Sequence, residues 1–321
     1  MLKLRCAFSE NPRVAPLADG TVQPRDCELT FEQDHPGAWF ERHLREGGLD
    51  VFEFSIAHYL ITKDRPRPEW DWIALPLYLS KGLFSLQARV RRDAAITQPT
   101  DLRGKRFGIP DFTMTAGLWF RAMMRELYGL QPNEVRWFVG RSRAQSQGVR
   151  LGLDERPLPS GISLTWLYEA GSLDRLLRAG ELDAAFASTE DPIREGDEQL
   201  QPLFPDAGRQ VVQRFFERRG FVPPNHTVLM QRRLAEEHPW LPAALYEAFE
   251  QSKQEAYRRD PRARSIFPDD PPGRFGDDPY PSGLAANRAT LQMAAEQEVL
   301  EGTIGKPPDV DSLIQESLRG T

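Results

Sequence analysis

The chain has 321 residues, of which 40% are hydrophobic and 27% charged, with a formal net charge of −6. That is room for two domains of ordinary size and the composition of a soluble globular protein. The negative balance leaves no global field to recruit nucleic acid, and no run approaches the roughly 18 apolar residues of a membrane span, so neither is expected as a partner.

Met1 to Phe8 alternates apolar and polar residues, which predicts a strand over Leu2–Phe8 with no secretory apolar core before it. This favours a cytoplasmic protein, although a secreted one with its signal removed would read the same. Cys27–Phe31 is a second predicted strand. The two cysteines, Cys6 and Cys27, have no metal-ligand spacing. Buried free thiols fit them better than a disulfide, which the sequence leaves open. A helix over Trp39–Arg45 ends near Gly47-Gly48, and a buried strand over Asp50–Ser55 runs into a helix over Ile56–Lys63. Strands over Ile73–Leu79 and Leu86–Val90 follow. This alternation predicts an α/β fold with a largely parallel sheet.

The pattern restarts at Asp101, with a strand over Arg106–Ile109, a helix over Thr115–Tyr128 and a strand over Val135–Val139. A loop-like stretch over 140–161 leads to a helix over Ser172–Ala179, stopped by Gly180, and a strand over Asp183–Ala187. The rest is mostly helical: Gly208–Arg219, an extended Phe221–Met230, Pro242–Arg258, a Pro- and Asp-rich connection, and Leu284–Val299.

The stretch from Gly104 to Ala116 holds the clearest local chemistry. A strand, a turn carrying Thr113 and Thr115, and a helix start would place two hydroxyls at the positive end of a helix dipole, where a carboxylate binds without metal or cofactor. An empty helix cap is the plain alternative. Two α/β units imply a ligand cleft between lobes, with ligands at the carboxyl ends of strands. The residues there are Ser9, Glu10, Arg13, Glu53, Ser55, Ser80, Thr113, Thr115, Ser188 and Thr189, a lining suited to a small polar anion. No G-x-G-x-x-G or G-x-x-x-x-G-K-[ST] occurs, so no nucleotide cofactor is expected.

Four segments carry a resemblance: Asp50-Val51-Phe52-Glu53-Phe54-Ser55, Gly104 to Ala116, His238-Pro239-Trp240-Leu241-Pro242, and Tyr280 to Arg288. In order and spacing they resemble the 4,5-dihydroxyphthalate decarboxylase family, enzymes on the two-lobed type II periplasmic-binding-protein-like fold. The resemblance implies a first lobe of residues 1–95 plus 215–321 and a second of residues 96–214. It implies a cytoplasmic carboxy-lyase of aromatic degradation that removes CO₂ from a hydroxylated aromatic acid without oxidation, cofactor or metal. Its partner would be the small aromatic carboxylate, and a homo-oligomer is left open.

In that frame His226 is the candidate proton donor and Glu53, its pKa raised by burial, a second proton carrier. Arg13 would pair with a carboxylate in bidentate geometry, and Ser55, Ser80, Lys81, Thr113, Thr115 and Thr189 would line the substrate. Salt bridges are the structural alternative for Arg13 and Glu53, and an ordinary buried histidine for His226. His35, His43 and His238 read as structural, and His58 as a weaker candidate for the cleft. The chain departs from the family pattern at Phe84 and Ser85, where an Arg-His pair is usual, and at Thr189, where an Arg is usual. A less basic pocket favours a less charged acid. A solute-binding protein without turnover is the competing reading, and an enzyme of the same fold with other chemistry a third.

Overall fold

The protein is described from a computed structural model, covering residues 1–32, 36–155, 157–168, 172–186, 197–267, 269–271 and 273–321. Its strands in chain order are β1 (Leu2–Ala7), β2 (Cys27–Glu32), β3 (Val51–Ser55), β4 (Trp72–Leu75), β5 (Arg89–Arg91), β6 (Arg106–Ile109), β7 (Arg136–Val139), β8 (Ser163–Trp166), β9 (Ala184–Ala185), β10 (Leu200–Pro202) and β11 (His226–Gln231). The chain divides into two compact units. One is built from Met1–Lys81, Phe221–Ala295 and Lys306–Thr321, the other from Gly82–Gly220 and Glu296–Gly305. Residues 82–95, with β5, belong to the second.

The first unit holds a sheet ordered β2-β1-β3-β11-β4. β1 runs parallel to β2 and β3, as β-α-β connections require. β11 enters antiparallel between β3 and β4, because the chain returns to this sheet from the second unit rather than through a crossover helix. The largely parallel sheet expected from the sequence therefore has an antiparallel strand beside its centre. β3 is buried along its whole length. Phe52 and Phe54 pack edge-on against Trp72 at 5.3 and 5.1 Å between ring centroids. His43 stacks on Trp72 at 5.0 Å and is buried, not on a helix surface. Each fully buried aromatic contributes about 1.5–3 kcal/mol.

The helix Ile56–Asp64 begins where β3 ends, its first turn capped by the Ser55 hydroxyl. The helices Leu241–Arg259 and Leu284–Glu301 are longer than the sequence pattern indicated by a residue or two at their ends. Cys6 and Cys27 are buried free thiols. In the β1–β2 register Cys6 lies opposite Phe31 and Cys27 opposite Leu2, so the two never face each other.

The second unit holds a sheet ordered β10-β5-β9-β6-β7-β8. β6, β7, β8 and β9 are mutually parallel, while β5 runs antiparallel to β9 and β10. β8 and β10 were not visible in the sequence pattern, and the 140–161 stretch contains a short helix, Gln147–Arg150. The helix Thr115–Tyr128 follows β6 and ends at Gly129, whose φ of 65° suits a glycine stop. On this helix, Arg121 clasps Glu301 through Nε (2.7 Å) and Nη2 (2.6 Å), and its guanidinium lies 3.9 Å from the Phe112 ring centroid. Among the described residues no helix is long and apolar enough to cross a membrane.

Candidate active site

β3 and β11 position the central pair. Their antiparallel register sets His226 opposite Ser55 and Val228 opposite Glu53. Side chains two apart share a face of a sheet, so Glu53 and His226 are diagonal neighbours on one side of it. Nδ1 of His226 lies 2.5 Å from Oε1 of Glu53. The other carboxylate oxygen accepts the main-chain N–H of Ser9 at 2.7 Å and the Ser9 hydroxyl. Ser9 follows β1, the strand next to β3, so three strand ends meet here. The Phe40 ring meets His226 edge-on at 5.1 Å, and the Trp39 indole donates to the Glu53 carbonyl.

These contacts overturn one expectation. Burial on its own would push the Glu53 carboxyl up, but the charge and hydrogen bond of His226, with two donors from Ser9, outweigh it and hold the group down at about 2. Glu53 is therefore an ionised acceptor at neutral pH and not a proton carrier. His226 is partly exposed, and the bond at Nδ1 leaves Nε2 as the nitrogen open to a ligand.

Arg13 and Lys81 are buried cations of the same unit. Arg13 donates from Nε to the Leu79 carbonyl at 2.6 Å and from Nη1 to the Ala263 carbonyl at 2.7 Å. The bidentate edge that includes Nε is thus closed to a carboxylate, and Nη2 is the nitrogen left open. Lys81 donates to the Val222 carbonyl at 2.6 Å. Burial, with the positive charges of Arg13 and Lys253 added, brings its amine down to about 7 against a smaller opposing pull from Asp278. The Ser80 carbonyl accepts from the Asn225 N–H at 3.3 Å, so the Ser80–Lys81 turn is fastened to the segment that leads into His226.

Each of the other described candidates has partners of its own. Ser55 caps the next helix by accepting from the His58 N–H at 3.3 Å. His58 is buried against the Phe54 ring. Thr113 and Thr115 are buried in the second unit at the start of Thr115–Tyr128. The Thr113 hydroxyl donates to the buried Asp111 at 2.9 Å, so its proton is already engaged by a protein carboxylate. Asp111 also accepts from Ser146 at 2.7 Å. Its position two residues before Thr113, the spacing of an Asx turn, was the signal that could have found it. Arg143 pairs with Asp154 at 2.9 Å. Thr189, Ser188 and His35 lie outside the described residues, as do the side chains of Phe84 and Ser85. Among the described residues no cluster of three or more His, Cys, Asp or Glu could hold a metal ion.

A curated 4,5-dihydroxyphthalate decarboxylase of Comamonas testosteroni is 33% identical over 260 residues, covering 80% of this chain and 77% of that protein. Another, from Pseudomonas putida, is 31% identical over 184 residues, covering 57% and 69%. No family model matches the chain. Among solved structures, the periplasmic aliphatic sulphonate binding protein SsuA of Escherichia coli aligns over 100% of both chains with a TM-score of 0.55 at 12% identity. At that identity the likeness establishes the fold alone, which is that of the type II periplasmic solute-binding proteins.

Proposed function

The chain belongs to the 4,5-dihydroxyphthalate decarboxylase family, and we propose that its Glu53–His226 pair delivers the proton that replaces CO₂ on a hydroxylated aromatic carboxylate. Family membership makes the protein a carboxy-lyase, and its substrate is 4,5-dihydroxyphthalate or a related acid.

Direct departure of CO₂ from an aryl carboxylate would leave an unstabilised aryl anion. Protonating the ring carbon that bears the carboxylate removes that difficulty. The para oxygen then carries the charge, or forms a dienone if its own proton has left. The C–CO₂ bond breaks, its electron pair restores the aromatic ring, and CO₂ departs. One proton enters and one CO₂ leaves, with no change of oxidation state overall.

His226 supplies that proton from Nε2, since Nδ1 is engaged by Glu53. Glu53 stays ionised, fixes the imidazole's orientation and balances its charge while the proton is held. Arg13, through Nη2, and Lys81 receive the substrate's carboxylates. The contact of Nδ1 with Oε1 carries this reading, because it joins a buried carboxylate to a partly exposed imidazole at the ends of adjacent strands.

The test is CO₂ release from 4,5-dihydroxyphthalate and from monohydroxybenzoates. The parent protein is expected to release CO₂ and His226→Ala to release none at an unchanged melting temperature. A melting shift with these acids but no CO₂ from the parent would make the protein a solute binder and overturn the reading.

A further inference from the structure

The Tyr280-Pro281-Ser282-Gly283 segment has no part in the chemistry above, yet it is fastened at several points within the first unit. Tyr280 is buried. Its N–H donates to Asp278 at 2.9 Å, its carbonyl accepts from Lys253 at 3.0 Å and its hydroxyl donates to the Ser265 carbonyl at 3.2 Å. Asn287 holds the next carbonyl, that of Pro281, at 2.8 Å. The ring clamped in this way meets two cations. The Arg13 guanidinium carbon lies 3.8 Å from its centroid, and Lys81 Nζ lies 5.8 Å from it.

Neither cation has an ion-pair partner among the described residues; both donate only to main-chain carbonyls. The carboxylate whose field reaches Lys81 is Asp278, and its oxygens are already taken. Oδ2 accepts from Lys253 at 2.9 Å, and Oδ1 from the Tyr257 hydroxyl at 2.7 Å and from Tyr280 N–H. A buried cation without a counter-anion is costly, and an aromatic face supplies part of what is missing through its quadrupole. The remainder is a deficit that an incoming carboxylate fills.

We propose that Tyr280 is a positioning residue for substrate: its ring is the platform on which Arg13 and Lys81 are held, unpaired, for the carboxylates of the acid. The proposal rests on the reading of Arg13 and Lys81 as the substrate's anion site. The ring face does this work, and the hydroxyl only anchors the ring.

Two variants separate the ring from its hydroxyl. Tyr280→Leu is expected to raise KM for 4,5-dihydroxyphthalate about tenfold with kcat within about threefold, while Tyr280→Phe keeps KM within about twofold. An unchanged KM in the Leu variant overturns the proposal, and so does a Phe variant as impaired as Leu. If Tyr280→Leu does not fold, fluorinated phenylalanines at position 280 retain the shape and weaken the ring face. KM is expected to climb with each added fluorine, and a flat series overturns the platform. If the parent releases no CO₂, the decarboxylase reading falls by itself. The same comparison is then made on the Kd of phthalate by calorimetry, where the same pattern supports the platform and its absence sinks it.

Discussion

Ser9 holds the carboxylate of Glu53 by the oxygen that His226 does not touch: its N–H and its hydroxyl both meet Oε2, while Nδ1 of His226 meets Oε1. With both oxygens engaged the carboxylate cannot turn, and the imidazole inherits its fixed direction. Glu53→Gln keeps the shape but can present an N–H where Nδ1 needs an acceptor. The expected loss is about 10–100-fold in kcat with little change in KM, read from initial rates of CO₂ release. A kcat equal to that of the parent would remove Glu53 from the mechanism.

Arg13→Lys should fail to substitute for arginine. The guanidinium reaches two carbonyls and keeps a third nitrogen for substrate, whereas an ammonium is a single point with no fork. Both Arg13→Lys and Arg13→Ala should raise KM, by about tenfold or more for the loss of a buried charged hydrogen bond. Steady-state kinetics at pH 6, where Lys81 with its value of about 7 is also charged, decide it, and an unaltered KM would assign Arg13 a purely structural role.

Acid should weaken the fold in two successive windows. Burial brings the His43 imidazole from 6.5 down to about 4, so the unfolded chain takes up this proton first. Stability present above pH 6.5 is lost as pH falls towards 4, on the order of 2–3 kcal/mol. Glu53, held down from 4.5 to about 2, then adds a loss between those values. Urea midpoints recorded from pH 8 to pH 4 measure the first window. His43→Phe, which retains the stack on Trp72, should flatten it; an undiminished slope would show that another group titrates there.

The Arg121–Glu301 pair is wholly buried, so removing one partner leaves a charge with no counterpart. Arg121→Met should cost about 3–5 kcal/mol in urea unfolding, and the double variant with Glu301→Met distinctly less than the two single changes added. Strict additivity would mean that the two groups do not depend on each other.

Period-2 and period-3.6 patterns made most of the strands and helices of both units legible, since most of the buried positions of β3 and of the Thr115–Tyr128 helix are apolar. β8 alternates exposed and half-buried residues, and β10 is three residues long with a terminal proline, so neither rises above a loop in sequence. Glu53 and His226 could each be named from their places at strand ends, but their contact spans 173 residues and depends on a ladder register that no local pattern encodes. The direction of the Glu53 shift failed for the same reason: burial was legible and the partners were not. Arg13 was legible as a ligand candidate, whereas the carbonyls that occupy its Nε and Nη1 come from Leu79 and Ala263, far along the chain.

The two cysteines have a practical consequence. Burial raises the Cys27 thiol to about 11 and the Cys6 thiol further, so at neutral pH neither is present as the reactive thiolate. Intact molecules should ignore iodoacetamide and tolerate air without reductant. Alkylation then becomes a clock for opening of the β1–β2 edge, since a label can attach only while that edge has come apart.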